Sequence, residues 1–328
     1  VPARTGYVNQ GWSSKKNSEK ATAKAKCTVN KNITLYAVQK KAVQLTFHRC
    51  DGSTWQKTTL AKGSSYSLPG VRDAEGYTFM GWSTKPMQSV SPQYEAEEKI
   101  TVNGNVDLYA VVFNRTTETD LTEDQLPQVD IYKYKQVIFV GDSRTEFMEN
   151  VLTGMGESAT KNVKFVCSAG KGLDWFTTTG WAQLYSIVQH DSNSILSKKT
   201  AVIFNFGVND LSKSADYAEY YNWIAPQLKS KGCELYFMSV NPVNRLMLPN
   251  AGRADRSEAA VRSFNQYMKA NLPSAYTYID MYSYLKSTGY SFASDHYGTG
   301  TVDDGLHYTT RTYKRIFAKC MDSLRVPA

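Results

Sequence analysis

The sequence of 328 residues contains no run of about 18 apolar residues, so no membrane-spanning helix is expected. It has no C-x-x-C pair. Its five cysteines, Cys27, Cys50, Cys167, Cys233 and Cys320, are odd in number and sparse. That excludes a disulfide framework and argues against a zinc site of common spacing, leaving a Cys27–Cys50 bridge as the one open pairing. No HExxH helix, Walker loop or dinucleotide-binding fingerprint is present, which sets aside three large cofactor and metal classes. There is no Gly-x-Ser-x-Gly elbow, which disfavours the common α/β-hydrolase arrangement. Charged residues are only 21% against 41% hydrophobic, so bulk disorder is not expected. The chain opens on Val1, without an apolar leader, and the expectation is that upstream sequence has been removed.

What is present is unevenly distributed. The length predicts two or three domains. The net charge is +8, and residues 1–113 carry 15 Lys/Arg against 8 Asp/Glu, whereas 114–136 carry 3 against 5. The basic excess is N-terminal. It reads as a solvated face, or as a surface for polyanions such as anionic wall polymers, and no nucleic-acid partner is expected.

That N-terminal part is internally repeated. Gly6-Tyr7 with Gly11-Trp12 recurs as Gly76-Tyr77 with Gly81-Trp82, and the stretch ending Leu35-Tyr36-Ala37-Val38 recurs as Leu108-Tyr109-Ala110-Val111. Tyr77, Phe79 and Gly81 alternate as on a half-buried strand, and Asn103-Gly104 signals a turn. The expectation is two β-rich modules, a partial one over 1–39 and a fuller one over 40–113. They resemble the internalin-type B repeat (the Listeria–Bacteroides repeat), a small β-grasp-like unit of bacterial surface proteins. The resemblance implies spacer or adhesive modules outside the cell, in a bacterium of the Gram-positive kind, and a first module that lacks its opening strand. Their Tyr and Trp residues read as core, with no catalytic role. Residues 114–135 are polar and acidic and read as a linker or irregular connection.

From Gln136 the pattern changes. Strand-like runs at 136–140, 163–167, 201–206, 234–240 and 276–279 alternate with helix-length segments at 175–189, 214–230, 253–270 and 309–324. Continuous Val/Ile/Phe runs imply strands buried on both faces. A three-layer α/β domain over 136–328 is therefore expected, with a flavodoxin-like parallel sheet and ligands at its strand C-termini.

Three motifs fall in order on that frame. Gly141-Asp142-Ser143 follows Val137–Val140 directly. Gly207-Val208-Asn209-Asp210 follows Val202–Phe206. Asp304-Gly305-Leu306-His307 precedes the last helix. A serine hydroxyl needs a base to become a nucleophile, histidine titrates in the right range, and an acidic partner fixes its tautomer. The tetrahedral intermediate needs donors aimed at its oxyanion. A lone Gly-Asp-Ser is weak; all three motifs in this order are strong. Here the chain resembles the SGNH (GDSL-like) hydrolases over about its last 195 residues.

The resemblance implies Ser143 as nucleophile, His307 as base and Asp304 as the acid that orients it, with no metal or cofactor. It implies an oxyanion hole from the Ser143 amide, a glycine after the second strand and Asn209. Gly172 is the favoured glycine and Gly170 the alternative. Asp-x-x-His spacing selects Asp304 over the adjacent Asp303. His296 reads as a loop residue. Position alone suggests substrate contacts for Arg144, Trp175 and Asn241. The corresponding structural roles are a salt bridge at the helix start for Arg144, helix-to-sheet packing for Trp175 and ordinary loop polarity for Asn241. The function implied is a secreted or cell-surface esterase releasing short acyl groups, acetyl above all, from carbohydrate or a wall polymer. Acyl transfer to a sugar by the same residues, and an adhesin carrying an idle hydrolase-like domain, are the alternatives.

Overall fold

The structure, a computed structural model, describes residues 1, 3–23, 30–189, 198–294 and 303–325. The chain forms two compact units. Residues 1–69, 81–88 and 92–112 make the first; 70–80, 89–91 and the chain from 113 onward make the second.

The first unit is built on strands β1 (Tyr7–Ser13), β2 (Tyr36–His48), β3 (Thr54–Ala61), β4 (Ser64–Ser67), β5 (Tyr77–Ser83), β6 (Lys99–Val102) and β7 (Val106–Asn114). The main sheet runs β1-β2-β7-β5, with β3 also on β2, while β4 pairs β6. No helix forms among the described residues of this region. The 13-residue β2 is long enough to serve both repeats. Its first half pairs antiparallel with β1, and Leu45–His48 pairs parallel with β7. The boundary expected at 39/40 therefore falls inside one continuous strand. Val43, Leu45 and Phe47 alternate inward and are buried. Of the repeat aromatics, Trp82 is fully buried, 4.8 Å from the Phe47 ring, and donates its indole N–H to Pro69 O. Tyr77, expected in the core, is 43% exposed.

The second unit carries a five-stranded sheet of β8 (Tyr134–Gly141), β9 (Val163–Cys167), β10 (Lys199–Asn205), β11 (Cys233–Met238) and β12 (Tyr276–Ile279). The order is β9-β8-β10-β11-β12, parallel throughout. Counted from β8 this is 2-1-3-4-5, the flavodoxin-like order. Helices α1 (Ser143–Met155), α2 (Glu157–Thr160), α3 (Leu173–Trp175), α4 (Trp181–Gln189), α5 (Ser214–Lys229), α6 (Glu258–Asn271), α7 (Met281–Thr288) and α8 (Thr310–Ser323) accompany it. Val137, Ile138, Phe139 and Val140 are all buried, because successive side chains enter opposite cores. Ile138 and Val140 join the cluster of Leu184, Tyr221, Ile224 and Phe264 from α4, α5 and α6. Phe139 faces the other way, 5.8 Å from Phe317 of α8.

Several elements differ from the sequence expectation. The helix expected over 175–189 is α3 and α4 joined by a π turn at Phe176–Gly180, with Phe176 set against Phe204 and Phe206. The helix expected from 253 starts at Glu258, where the Ser257 hydroxyl accepts from Ala260 N. Segment 114–135 overlaps the end of β7 and the start of β8 and is irregular between them, but it is not a free spacer. Arg115 pairs with Asp73 at 2.7 Å and with Asp303, and buried Glu118 accepts from Ser291 Oγ and from Arg315. Strands β13 (Phe292–Ser294) and β14 (Asp303–Tyr308) form an unanticipated antiparallel pair. Cys50, Cys167, Cys233 and Cys320 are free thiols, and Cys27 lies outside the described residues. No helix among the described residues is long and apolar enough to cross a membrane.

Candidate active site

The site assembles where strands β8 and β10 part, their outgoing connections running to opposite sides of the sheet, which is where such sheets open a crevice. The chain leaves β8 through Gly141. A Cβ there would stand 2.0 Å from Thr145 Oγ1 and 2.7 Å from Asn205 O, so only glycine permits this tight exit. Asp142 then caps α1, its Oδ1 accepting from Arg144 N at 3.0 Å. Burial raises the Asp142 carboxyl to about 6, against the opposing Arg144 N–H. Ser143 is the first helical residue, so its backbone N–H lies at the positive end of α1 without an intrahelical acceptor.

The partner residues come from β14. Gly305 has φ +67°, and a Cβ there would meet Asn244 O at 2.5 Å. The turn folds Asp304 back, so that its Oδ1 accepts from Leu306 N at 2.8 Å and His307 N at 2.7 Å. Asp304 Oδ2 lies 2.5 Å from His307 Nδ1, and His307 Nε2 lies 2.9 Å from Ser143 Oγ. The structure thus brings Ser143, His307 and Asp304 into one hydrogen-bonded chain. Asp303 turns away to Arg115.

Electrostatics suits a neutral imidazole beside an ionised acid. Burial lowers the His307 pKa below its usual 6.5, outweighing the attraction of Asp304, and Arg144 and Arg253 push the same way. Burial pulls Asp304 upward, but the bonds from His307 and the Leu306 amide hold it below the usual carboxylate value. A carboxylate only accepts, so Nδ1 carries the proton and Nε2 is left to receive one from Ser143. The Phe147 ring meets the imidazole edge-on at 4.5 Å.

A cavity of about 410 Å³ opens beside Ser143, lined by Ala169, Gly170, Asn209, Arg253, Arg256 and His307 among others. Gly170, at φ +70°, lines the cavity. Gly172, two residues on in the same loop, is the N-cap of α3, and a Cβ there would stand 2.4 Å from Asp210 Oδ2. The Gly170 loop is tied to α1 by Ala169 N donating to Glu146 Oε2 at 2.6 Å. Asn209 donates through Nδ2 to Lys171 O and accepts at Oδ1 from Arg256, both at 2.8 Å.

The three suggested substrate contacts do not line this cavity. Arg144 is buried, does not line the cavity and forms no salt bridge among the described residues. Its guanidinium donates to three backbone carbonyls, of Leu306, Asn241 and Pro242, at 2.9–3.0 Å. Trp175 packs its ring against Phe206. Asn241 is buried, and its carbonyl serves Arg144. His296 lies outside the described residues. Sequence reasoning missed Arg253 and Arg256, which it had placed inside a helix. The serine at 257, an N-cap residue followed by Glu258, was the available signal that the helix starts later. Among the described residues no group of three His, Cys, Asp or Glu is arranged to hold a metal.

A five-stranded parallel sheet in this order, with a serine, a histidine and an aspartate joined at its switch point, defines a class: a hydrolase-type α/β protein on a flavodoxin-like frame. The family model for GDSL-like lipase/acylhydrolase matches residues 137–320, more than half of the chain. The chain belongs to that family. The Listeria-Bacteroides repeat domain matches residues 1–38 and 44–111. Similar solved structures include a catalytic mutant of an acetylxylan esterase from Geobacillus stearothermophilus, at 11% identity, covering 60% of this chain and 96% of that one (TM-score 0.35). Another acetyl xylan esterase is 10% identical, covering 58% and 99% (TM-score 0.39). The C-terminal catalytic domain of Streptococcus pneumoniae peptidoglycan O-acetyltransferase A is 16% identical, covering 59% and 92% (TM-score 0.33). No curated protein sequence matches the chain.

Proposed function

We propose that this protein is a serine esterase, cell-surface or secreted, that removes short acyl groups, O-acetyl above all, from carbohydrate. The hydrogen-bonded chain Ser143 Oγ–His307 Nε2, His307 Nδ1–Asp304 is the observation that carries the reading. Ser143 Oγ attacks the ester carbonyl while its proton passes to His307 Nε2, and Asp304 stabilises the imidazolium. The Ser143 amide, a glycine amide of the loop after β9 (Gly172, with Gly170 as the alternative) and Asn209 Nδ2 receive the oxyanion. His307 then protonates the departing sugar hydroxyl. Water, activated by the same imidazole, releases the acid and restores Ser143.

The polar wall supplied by Asn209, Arg253 and Arg256 supports a short acyl group on a hydrophilic alcohol over a long apolar chain. The repeat domain and the N-terminal basic excess are compatible with a surface setting. The test is hydrolysis of p-nitrophenyl acetate and butyrate at pH 7–8. Ser143→Ala is expected to lower kcat by at least about 10³-fold with circular dichroism unchanged. Equal rates in both proteins would remove the nucleophile assignment. Acyl transfer differs by its product, a new ester on an added sugar acceptor.

A further inference from the structure

The donor assigned to Asn209 has a weakness inherent in its chemistry. A carboxamide rotated by half a turn keeps its shape but exchanges its NH₂ for a carbonyl oxygen. Turned that way, Asn209 would present negative charge to an oxyanion and oppose the reaction it is meant to assist.

Two neighbours fix the orientation. Lys171 O can only accept, and it lies 2.8 Å from Nδ2. The guanidinium of Arg256 can only donate, and its Nη2 lies 2.8 Å from Oδ1. A flipped amide would set oxygen against oxygen on one side and N–H against N–H on the other. The Lys171 bond uses one of the two Nδ2 protons and leaves the second for a substrate.

Arg256 is itself held. Its Nε donates to Val208 O at 2.7 Å, the carbonyl next to Asn209 in the chain, and its Nη1 donates to Ala254 O at 2.9 Å. The guanidinium therefore grips both the side chain of Asn209 and the backbone that carries it. It is anchored in turn to the extended segment before α6. A planar fork with donors on three nitrogens does this; an ammonium on a flexible stem does not. Arg256 also lines the cavity beside Ser143, so its charge lies near the reacting centre and, through Oδ1, polarises the amide.

We infer that Arg256 is the positioning residue of the oxyanion hole, holding Asn209 with its N–H group toward the developing oxyanion. This rests on the reading of Ser143 and Asn209 given above.

The experiment is a double-mutant cycle on p-nitrophenyl acetate, with rates taken per active site titrated to completion by phenylmethanesulfonyl fluoride. Asn209→Ala is expected to lower kcat about 10²–10³-fold. Arg256→Met and Arg256→Lys are each expected to lower it about 10–100-fold, with KM within about threefold. In the Asn209→Ala background, Arg256→Met is expected to add less than about a further twofold, because its target is gone. The same factor in both backgrounds would overturn the inference, and so would wild-type kcat in Arg256→Lys, which would mean that charge alone suffices. Ser143→Ala separates the two levels: turnover retained there removes the esterase reading itself, whereas turnover lost there with additive Arg256 effects removes only this inference.

Discussion

The two units bury different kinds of residue. In the first, the buried polar side chains among the described residues are the hydroxyls of Ser13, Thr46 and Ser83, and every charge stands at least partly in solvent. In the second, Asp142, Arg144, Glu258, Lys286, Asp304 and Arg315 are all buried. Removing charge from water is costly unless each group finds partners. Those partners are present: three carbonyls for Arg144, and Lys286 with the Tyr282 hydroxyl for Glu258. A unit held by apolar and aromatic burial needs only the hydrophobic effect. A unit that sets the charge state of a histidine must build a polar interior first.

The contrast can be broken most directly at Arg144. Arg144→Met keeps much of the volume but takes the guanidinium from three buried carbonyls, of which Pro242 O keeps the Tyr308 hydroxyl, and a loss of about 4 kcal/mol or more is expected in urea unfolding. A change under about 1 kcal/mol would show that the polar interior is not needed for stability. In the first unit the corresponding pressure point is apolar. Trp82→Ala should cost about 3 kcal/mol or more through lost burial and the cavity left against Phe47 and Trp55.

The pH profile sharpens the comparison on the catalytic side. His307 works as the neutral form, and burial lowers its pKa, so kcat/KM should fall as pH drops through a midpoint below 6.5. The sign for stability agrees: a depressed folded-state pKa stabilises above the unfolded value, and that contribution is lost on acidification. A midpoint above 6.5 would mean that Asp304, not burial, dominates. The smallest effect belongs to the exposed charge of the first unit. Lys57→Ala, on the open face of β3, should change stability by less than about 0.5 kcal/mol.

Much of the second unit was readable from local patterns. The central strands, buried on both faces, write themselves as apolar runs, and all five strands fall within about two residues of expectation. Asp304 and His307 were readable as a pair because their contact is made within one turn. That Gly170 lines the cavity was not readable, since it shares one short loop with Gly172 and local sequence does not say how that loop packs. Nor was Arg115, whose partners Asp73 and Asp303 lie 42 and 188 residues away.

The sequence by itself determined the tandem β repeats, the parallel sheet and the serine, asparagine, aspartate and histidine presented at its strand ends and closing turn, because each depends on periodicity or on spacing of a few residues. Only the tertiary structure decided that Arg144 is committed to backbone carbonyls, that Gly170 lines the cavity and that Arg253 and Arg256 reach it. Those outcomes depend on which distant segments fold against one another, and no local pattern encodes the direction in which a long cationic side chain finds its acceptors.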